Sequence, residues 1–344
     1  MRGPSCIVFT HQLQTDGVLA GNVHLDKYHL WYKSDDIDQA VDLLSQALRL
    51  VRRKAQNRNS VLNDLGTILM ERFNHQGSEA DLKKAIECYE EAIYITPKNS
   101  SELPKHFANL GSALIERFTP TKNFNDLTRA IGYYRKALTL TVPESPLRAE
   151  FLKGLGDALF THYNQTNRHA LLEEALALWQ QAVDLNPLPS SGAALLISFS
   201  NGMHTRYKLS NKLTDLETAI QLGYRALDLI PKRSQRRAVV LGNLGDSLRD
   251  RYMVSGNFVD LEEAIRCCQE AVDITPEKSP DLANYLANLA SCLSARYHST
   301  GSLTELERII ECFQQALKLT PMKSIQRASR LNNLGNALMI ATHT

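Results

Sequence analysis

The chain has 344 residues, of which 43% are hydrophobic and 22% are charged, values typical of a soluble folded protein. The net charge of +2 at pH 7 gives no reason to expect a nucleic-acid or membrane partner. No apolar run approaches the roughly 20 residues of a membrane-spanning helix. The apolar stretch near the N-terminus, Cys6 to Phe9, is shorter than the roughly 7–15 residues of a secretory signal, so we expect a cytoplasmic location.

One phrase recurs along the chain at steps of 44 or 45 residues. It is an Asp-Leu pair or a close variant, and an Ile, Val or Leu follows five residues after its first member. In five copies a proline follows after sixteen residues. A fixed period of this length indicates an array of structural repeats. The seven copies begin at Asp36, Asp81, Asp126, Leu171, Asp215, Asp260 and Glu305.

Each repeat contains two helical patterns. In the copy that begins at Asp260, the apolar residues from Leu261 to Ile274 follow the spacing of an α-helix. We expect Asp260 to be the N-cap, with Glu263 completing a capping box, and Pro276 cannot extend the helix. No alternating strand pattern of any length occurs, so the sequence predicts an all-α fold.

The predicted elements follow in chain order. Residues 1–11 are expected to be loose, and a degenerate first helix at about 12–28 is expected to cap a single solenoid over residues 12–344. A lone first helix at 326–340 is expected to close the C-terminal end. The second helices of the repeats are expected near 36–51, 81–96, 126–141, 171–186, 215–230, 260–275 and 305–320.

Small residues recur in both helices of the repeat. Three first helices share an Asn-Leu-Gly phrase, as at Asn109-Leu110-Gly111, although a glycine inside a helix costs about 1 kcal/mol relative to alanine. Five second helices carry two alanines seven residues apart, such as Ala264 and Ala271. We expect close approach of neighbouring helices to be the reason for both.

Cys267 and Cys268 stand side by side in a predicted second helix. In most other repeats, apolar or aromatic residues such as Tyr133 and Tyr134 take these two places. Because free cysteine behaves as a small hydrophobe, we expect both to pack in the core rather than to bind a metal or form a redox pair. The six cysteines of the chain form no disulfide framework.

These residues resemble the tetratricopeptide repeat, which has Leu-Gly in its first helix and Ala, an aromatic residue, Ala and Pro in its second. The resemblance covers about residues 36–340 and implies a right-handed superhelical solenoid of antiparallel helix pairs. The unit exceeds the usual ~34 residues and looks like the fungal arrays often found upstream of a CHAT (caspase-like peptidase) domain. The matching residues include Leu110, Gly111, Ala175, Trp179, Ala182 and Pro187.

No catalytic motif is apparent in the sequence. Gly154-Leu155-Gly156 suggests a phosphate loop, but it follows no strand, lacks a third glycine and falls on the Leu-Gly position of the repeat. The ten histidines never pair at metal spacing, and no serine-nucleophile elbow or zinc-protease motif occurs. We therefore expect no enzyme activity, no metal and no cofactor.

Basic residues recur at two kinds of position. An arginine precedes an aromatic residue near the end of five first helices, and we expect it to pair with the acidic residue that starts the next helix; a ligand-binding ladder is the alternative. Basic runs at 52–54 and 232–237 are expected to be solvated in loops, with a phosphate or acidic partner as the alternative. The arginines are Arg72, Arg117, Arg206, Arg251 and Arg296.

The resemblance places the first helices on the concave face of the solenoid, which is the usual binding surface. In related repeats an Asn two residues before the Gly bonds a peptide group; the alternative is an Asn that bonds its own helix or water. Acidic residues outnumber basic ones by seven to three on the stripe expected to face the groove. The candidate groove residues are Asn109, Asn243, Asn288, Asn333, Asp157, Asp246, Asp250 and Lys153.

Together these features predict a non-catalytic protein–protein interaction scaffold that binds an extended, neutral-to-basic peptide or protein segment in its groove. An acidic groove disfavours nucleic acid, and we expect no membrane partner. The alternative function is the regulatory or sensor portion of a CHAT-type peptidase effector without its catalytic domain. A downstream effector domain, or a homo-oligomer formed through the chain ends, is left open.

Overall fold

The computed structural model describes residues 34–51, 57–185, 189–232, 234–279, 281–322, 324 and 326–342. Within these ranges the chain forms fourteen α-helices and no β-strand, which confirms the predicted all-α fold. The segments expected at 1–11 and 12–28 lie outside the described residues, as does the basic run at 52–54.

The chain divides into two compact units, Met1–Asn167 and Arg168–Thr344. The described helices of the N-terminal unit are α1 (Ser34–Leu50), α2 (Arg58–Gln76), α3 (Glu79–Ile95), α4 (Leu103–Thr121), α5 (Phe124–Leu140) and α6 (Arg148–Thr166). Those of the C-terminal unit are α7 (His169–Asp184), α8 (Pro189–Ser210), α9 (Leu213–Leu229), α10 (Gln235–Ser255), α11 (Phe258–Ile274), α12 (Leu282–Thr300), α13 (Leu303–Leu319) and α14 (Gln326–Ala341).

Each unit is a stack of antiparallel helix pairs. In the N-terminal unit α2 pairs with α3 and α4 with α5, and each second helix also packs against the next first helix. In the C-terminal unit the pairs are α8–α9, α10–α11 and α12–α13, followed by α14, which packs on α13. This is the arrangement of a helical solenoid, in agreement with the predicted fold class. A single solenoid over residues 12–344 stays a prediction.

The second helices begin two residues before the acidic residue expected to start them. In α11 the N-cap is Asn257, whose side-chain oxygen accepts a hydrogen bond of 3.1 Å from the backbone N–H of Val259. The expectation that Asp260 is the N-cap is therefore wrong. Asp260 lies inside the first turn of α11, where its buried carboxylate accepts hydrogen bonds from a side-chain partner.

That partner is the arginine at the end of the preceding first helix. Arg251 donates to Asp260 from Nε at 2.8 Å and from Nη2 at 2.6 Å. The predicted structural role of these arginines is confirmed, because planar bidentate pairing fixes one helix end against the next. Arg72 additionally binds Asp38 of the preceding second helix. The same bidentate pair occurs at Arg72–Asp81, Arg117–Asp126 and Arg206–Asp215, and Arg296 forms an ion pair with Glu305.

The recurring small residues lie where helices approach closely, as expected. The ten alanines of the seven-residue pairs are at most 1% exposed. A methyl group placed at Gly111 would lie 2.9 Å from the Tyr134 ring, and one placed at Gly154 would overlap the same ring. Tyr134 thus lies against α4 and α6 together. Gly154 is a packing residue inside α6, and no phosphate loop exists at this position.

The paired cysteines are core residues. Cys267 and Cys268 are fully buried, and Cys268 packs under Gly245 in the place where other repeats have an aromatic ring. The sulfur atoms of Cys268 and Cys292 are 3.8 Å apart, so both thiols are free. Burial raises the pKa of Cys267 to about 12 and that of Cys88 to about 11, so neither is a ready nucleophile.

A second set of arginines binds the carbonyl ends of helices and was not predicted from the sequence. Arg148 donates to the carbonyls of Leu138 and Thr141 at the end of α5, at 3.3 and 3.1 Å. These bonds satisfy carbonyls that a helix end leaves without partners. Arg237 has this role as well and also binds Glu270, so the expectation that the 232–237 run is solvated is wrong for Arg237. The equivalent residues are Arg58, Arg148, Arg237 and Arg327.

Candidate functional site

The first helices form one layer in each unit. In the N-terminal unit α2 contacts α4, and α4 contacts α6; in the C-terminal unit α8 contacts α10, and α10 contacts α12. Side chains on this layer reach from one repeat to the next. The residues that the sequence predicts for the groove all lie on first helices. Their polar contacts therefore determine which hydrogen-bonding groups and charges are available to a partner.

In the N-terminal unit, Asn109 reaches the preceding first helix. Its Nδ2 donates to Asn63 Oδ1 at 2.8 Å. This bond differs from both expectations for Asn109, because its partner lies on a neighbouring helix and is neither a peptide ligand nor its own helix. Asn63 lies on α2 and is buried. The Oδ1 of Asn109 accepts no hydrogen bond from any described residue.

The buried His106 completes this contact and was not anticipated. Its Nδ1 lies 3.0 Å from Asn63 Oδ1, and because that oxygen also accepts from Asn109, Nδ1 carries the hydrogen. The opposite nitrogen, Nε2, is buried and has no hydrogen-bond partner among the described residues. Burial lowers the pKa of His106 to about 4, so the ring is neutral.

Carboxylates lie in a recess of the N-terminal first-helix layer. Glu116 and Glu150 are exposed to solvent, yet the protein around them desolvates their carboxylates and raises the pKa of both. Burial also raises the pKa of Asp64. Asp157 forms an ion pair of 2.6 Å with Lys153, one turn away. The recess therefore keeps an acidic character, because its four carboxylates outnumber the two lysines near them, Lys105 and Lys153.

The C-terminal unit repeats the amide contact twice. Asn243 Nδ2 donates to Asn201 Oδ1 at 2.6 Å, and Asn288 Nδ2 donates to Asp246 Oδ2 at 3.0 Å. Each bond links a first helix to the one before it. The Oδ1 atoms of Asn243 and Asn288 accept no hydrogen bond from the described residues. Asn333, the fourth predicted asparagine, is half-buried on α14 and makes no side-chain hydrogen bond to a described residue.

The acidic residues of the C-terminal unit are compensated by cations. Arg249 lies 3.3 Å from Asp246 and 3.1 Å from Asp250, and Lys208 lies 3.9 Å from Asp250. His204 Nε2 also donates a hydrogen bond to Asp250 at 2.7 Å. Burial raises the pKa of Asp246 against the opposing charge of Arg249. Burial would also raise the pKa of Asp250, but the His204 hydrogen bond and the Arg249 charge outweigh it and lower that pKa. The acidic excess expected along the whole groove is therefore confined to the N-terminal unit.

No group of three His, Cys, Asp or Glu side chains within the described part of the chain has the geometry of a metal site. None of the described helices is both long and apolar enough to cross a membrane. The polar chemistry of the first-helix layer thus consists of amides, carboxylates and ion pairs, which suit recognition of a polypeptide.

Comparison with known proteins agrees with this architecture. Residues 60–93 match the family described as "Tetratricopeptide repeat". No curated protein matches the sequence. Among solved structures, the chain is similar to one in the crystal structure of the APC/C hetero-tetramer Cut9–Hcn1, with a TM-score of 0.65 and 15% identity over 96% of this chain and 52% of that chain. The chain thus spans about half the length of that relative.

Two further solved structures show lower similarity. Yeast Tom70 aligns with a TM-score of 0.47 and 14% identity, over 90% of this chain and 60% of that chain. The C-terminal part of a TPR repeat-containing protein from Cytophaga hutchinsonii aligns with a TM-score of 0.48 and 13% identity, over 88% of this chain and 99% of that chain. Residues 60–93 match a tetratricopeptide repeat, and the chain has the fold of tetratricopeptide solenoids.

Proposed function

We propose that this chain is a non-catalytic, cytoplasmic scaffold that binds an extended segment of another protein along the first-helix layer. The observation that carries the proposal is the repeated amide contact between first helices, at Asn109, Asn243 and Asn288. Each of these side chains uses one amide N–H to reach its neighbour. Its oxygen and second N–H are left for a ligand, and a peptide group needs one acceptor and one donor.

The contact also fixes each amide before a ligand arrives. A side chain held by a hydrogen bond loses little rotamer freedom on binding, which favours affinity. An extended peptide has unpaired N–H and C=O groups along its length, so amides presented by successive repeats suit a backbone rather than one side chain. We therefore assign the main-chain contacts of the partner to Asn109, Asn243 and Asn288.

Charge favours a basic segment at the N-terminal unit and a neutral one at the C-terminal unit. Glu116 and Glu150 are exposed in a desolvating recess, where an added cation gains more than on open surface. In the C-terminal unit Asp246 and Asp250 already face Arg249 and Lys208, so they offer no net negative charge. The proposed partner is accordingly a polypeptide whose basic residues lie over α4 and α6.

A peptide-library experiment tests the proposal. The purified chain is incubated with pools of basic, neutral and acidic unfolded peptides, and bound peptides are identified by mass spectrometry. We expect basic and neutral peptides to be retained, and Asn243→Ala combined with Asn288→Ala to reduce retention of both. Asn125→Ala, an exposed asparagine on a second helix, is the matched control. Preference for acidic peptides, or equal retention by the groove variant, would contradict the proposal.

The CHAT-associated alternative rests on the sequence resemblance. Under it, the same first-helix layer would sense a ligand and regulate a peptidase domain on a longer product. The long repeat unit that motivates this alternative stays a prediction. Sequencing of full-length transcripts tests it, because a reading frame that continues into a caspase-like domain would replace the scaffold interpretation with the regulatory one.

A further inference from the structure

One second helix of the C-terminal unit lacks the aromatic ring that other second helices place between two first helices. In α5, the Tyr134 ring lies against Gly111 of α4 and Gly154 of α6, because a methyl group at either glycine would meet it. Gly223 of α9 takes the repeat position of Tyr134 and has no side chain. In the α8–α9 repeat, the space of this ring is therefore left without a side chain from the second helix.

A narrow cleft lies in this space. Its empty volume is about 160 Å³, which includes the solvent at its mouth. Two of the residues that line it, Ser200 and Asn243, come from α8 and α10. They take the repeat positions of Gly111 and Gly154, which enclose the Tyr134 ring. The cleft is thus the space of the missing ring. Its lining residues are Ile197, Ser200, Asn201, Gly223, Val240 and Asn243.

The cleft is narrow because α10 packs close to α9 beside it. A methyl group at Gly223 would lie 3.3 Å from Cδ1 of Leu244. A flat ring suits a narrow cleft better than a branched aliphatic chain does. Rings also take the equivalent position in other repeats, at Tyr89, Tyr134 and Trp179.

The groups that line the cleft favour an apolar occupant. None of the six lining residues is charged, and Val240 is only 3% exposed. The hydroxyl of Ser200 already donates to the carbonyl of Ala219 at 2.8 Å. Asn201 and Asn243 bond each other at 2.6 Å and are half-buried, so they lie on the solvent side of the cleft. An apolar group inside the cleft therefore needs to break none of these hydrogen bonds.

We propose that the cleft lined by Gly223 and Val240 takes one phenylalanine side chain of the polypeptide that binds the first-helix layer. This inference rests on the proposed function and adds a sequence requirement to it. Asn243 lies at the mouth of the cleft, and its Oδ1 accepts no hydrogen bond from the described residues. The main-chain N–H beside the inserted ring is a donor that fits this oxygen. Burial of the ring removes apolar surface from water, which favours binding.

Two fluorescein-labelled neutral peptides test the inference with the full chain. One carries a single phenylalanine among glycine, serine and glutamine residues, and the other carries alanine in its place. We expect fluorescence anisotropy to show at least tenfold tighter binding of the phenylalanine peptide. Gly223→Phe places a ring of the chain itself in the cleft and should remove this preference. Gly132→Phe, at a glycine of α5 with open space around it, is the matched control and should keep the preference.

A second measurement uses the wild-type chain and does not depend on the folding of a variant. The phenylalanine peptide should shift the NMR amide signals of Gly223 and Val240, because its ring lies against both residues. The alanine peptide should leave these two signals unchanged.

Equal binding of the two peptides would overturn this inference and leave the proposed function intact. Tighter binding of the phenylalanine peptide without a shift at Gly223 would overturn it as well, because the ring would then bind elsewhere. The same holds for a preference that persists in Gly223→Phe, provided that circular dichroism shows this variant to be folded. Binding of neither peptide would contradict the proposed function, and this inference with it.

Discussion

Arg117 holds the carboxylate of Asp126 with two hydrogen bonds, from Nε at 2.8 Å and from Nη2 at 2.6 Å. Asp126 is buried in the first turn of α5, while Arg117 comes from α4 and is partly exposed. The pair therefore fixes the turn between the two helices of one repeat. Loss of the negative charge on Asp126 would leave the guanidinium of Arg117 without an opposite charge beside it.

We expect Asp126→Asn to lower the free energy of unfolding by about 2–3 kcal/mol, since breaking a buried pair costs more than an exposed one. The midpoint of urea denaturation followed by circular dichroism measures this. Asp228→Asn, at an exposed aspartate on α9, is the control and should change stability by less than about 0.5 kcal/mol. Equal effects of the two substitutions would show that the pair is not stabilising.

Replacement of three glycines by alanine should change the stability of the protein in different directions. Gly132 lies inside α5 with open space around it, so Gly132→Ala should stabilise the protein by up to about 1 kcal/mol. Gly301 has a φ of +66° at the end of α12, so Gly301→Ala should cost about 1 kcal/mol. Gly154→Ala should cost about 1–3 kcal/mol because Tyr134 must move.

Thermal unfolding of the four proteins in parallel measures these changes. The order of melting temperature should be Gly132→Ala, wild type, and then the other two variants. A Gly154→Ala protein as stable as wild type would contradict the packing of Tyr134 between α4 and α6.

His106 should make stability depend on pH. Its pKa is lowered to about 4 in the folded state, so the folded ring stays neutral while the unfolded ring gains a proton below about pH 6.5. The unfolded state binds more protons, and stability is therefore lost as pH falls from about 6.5 to about 4. The loss that His106 contributes should reach about 3 kcal/mol.

Urea denaturation of wild type and His106→Gln between pH 7.5 and pH 4 measures this contribution. Glutamine does not titrate, so the difference in unfolding free energy between the two proteins should shrink steadily below pH 6.5. A difference that stays constant over this range would show that the pKa of His106 is the same in the folded and unfolded states.

The recessed carboxylates should determine the affinity for basic peptides. Replacement of Glu116 and Glu150 by glutamine should weaken binding of a basic peptide by about five- to tenfold at low salt, and less at high salt. The pKa of both residues is raised, so wild-type affinity should fall as the pH approaches those values from above. Fluorescence anisotropy at pH 7 and pH 5 measures both effects.

The matched control for this prediction replaces Glu87 and Glu144, which are exposed and lie outside the first helices. It removes the same charge from the chain. If the control weakened binding as much as the recess variant, net charge rather than the recess would explain the affinity.

The buried thiols should resist modification in the folded protein. The described cysteines are all buried, and burial raises the pKa of Cys267 to about 12. Iodoacetamide should therefore label Cys267, Cys268 and Cys292 only after unfolding, as mass spectrometry of tryptic peptides would show. Rapid labelling of Cys268 in the native state would contradict its packing under Gly245.

The sequence by itself determined the repeat. The helix periods, the alanine pairs and the arginine paired with an acidic residue nine positions later are local features, because each lies within one helix or one tight turn. The role of Cys268 could also be predicted, since aligned repeats show apolar residues at its position. The first residue of α11 could not be predicted, because Asn257 and Asp260 are both good N-caps. In the structure Asp260 accepts hydrogen bonds from Arg251, and Asn257 is the N-cap.

Tertiary structure alone decided the contacts that join one repeat to the next. Asn243 and Asn201 are 42 residues apart, and Asn109 and Asn63 are 46 apart; their meeting depends on how far each helix pair is rotated against its neighbour. The same rotation brings His204 and Lys208 of α8 onto Asp250 of α10 and reduces the acidity expected there. Periodicity tells which face of a helix is apolar, but the angle between packed helices sets which polar groups touch.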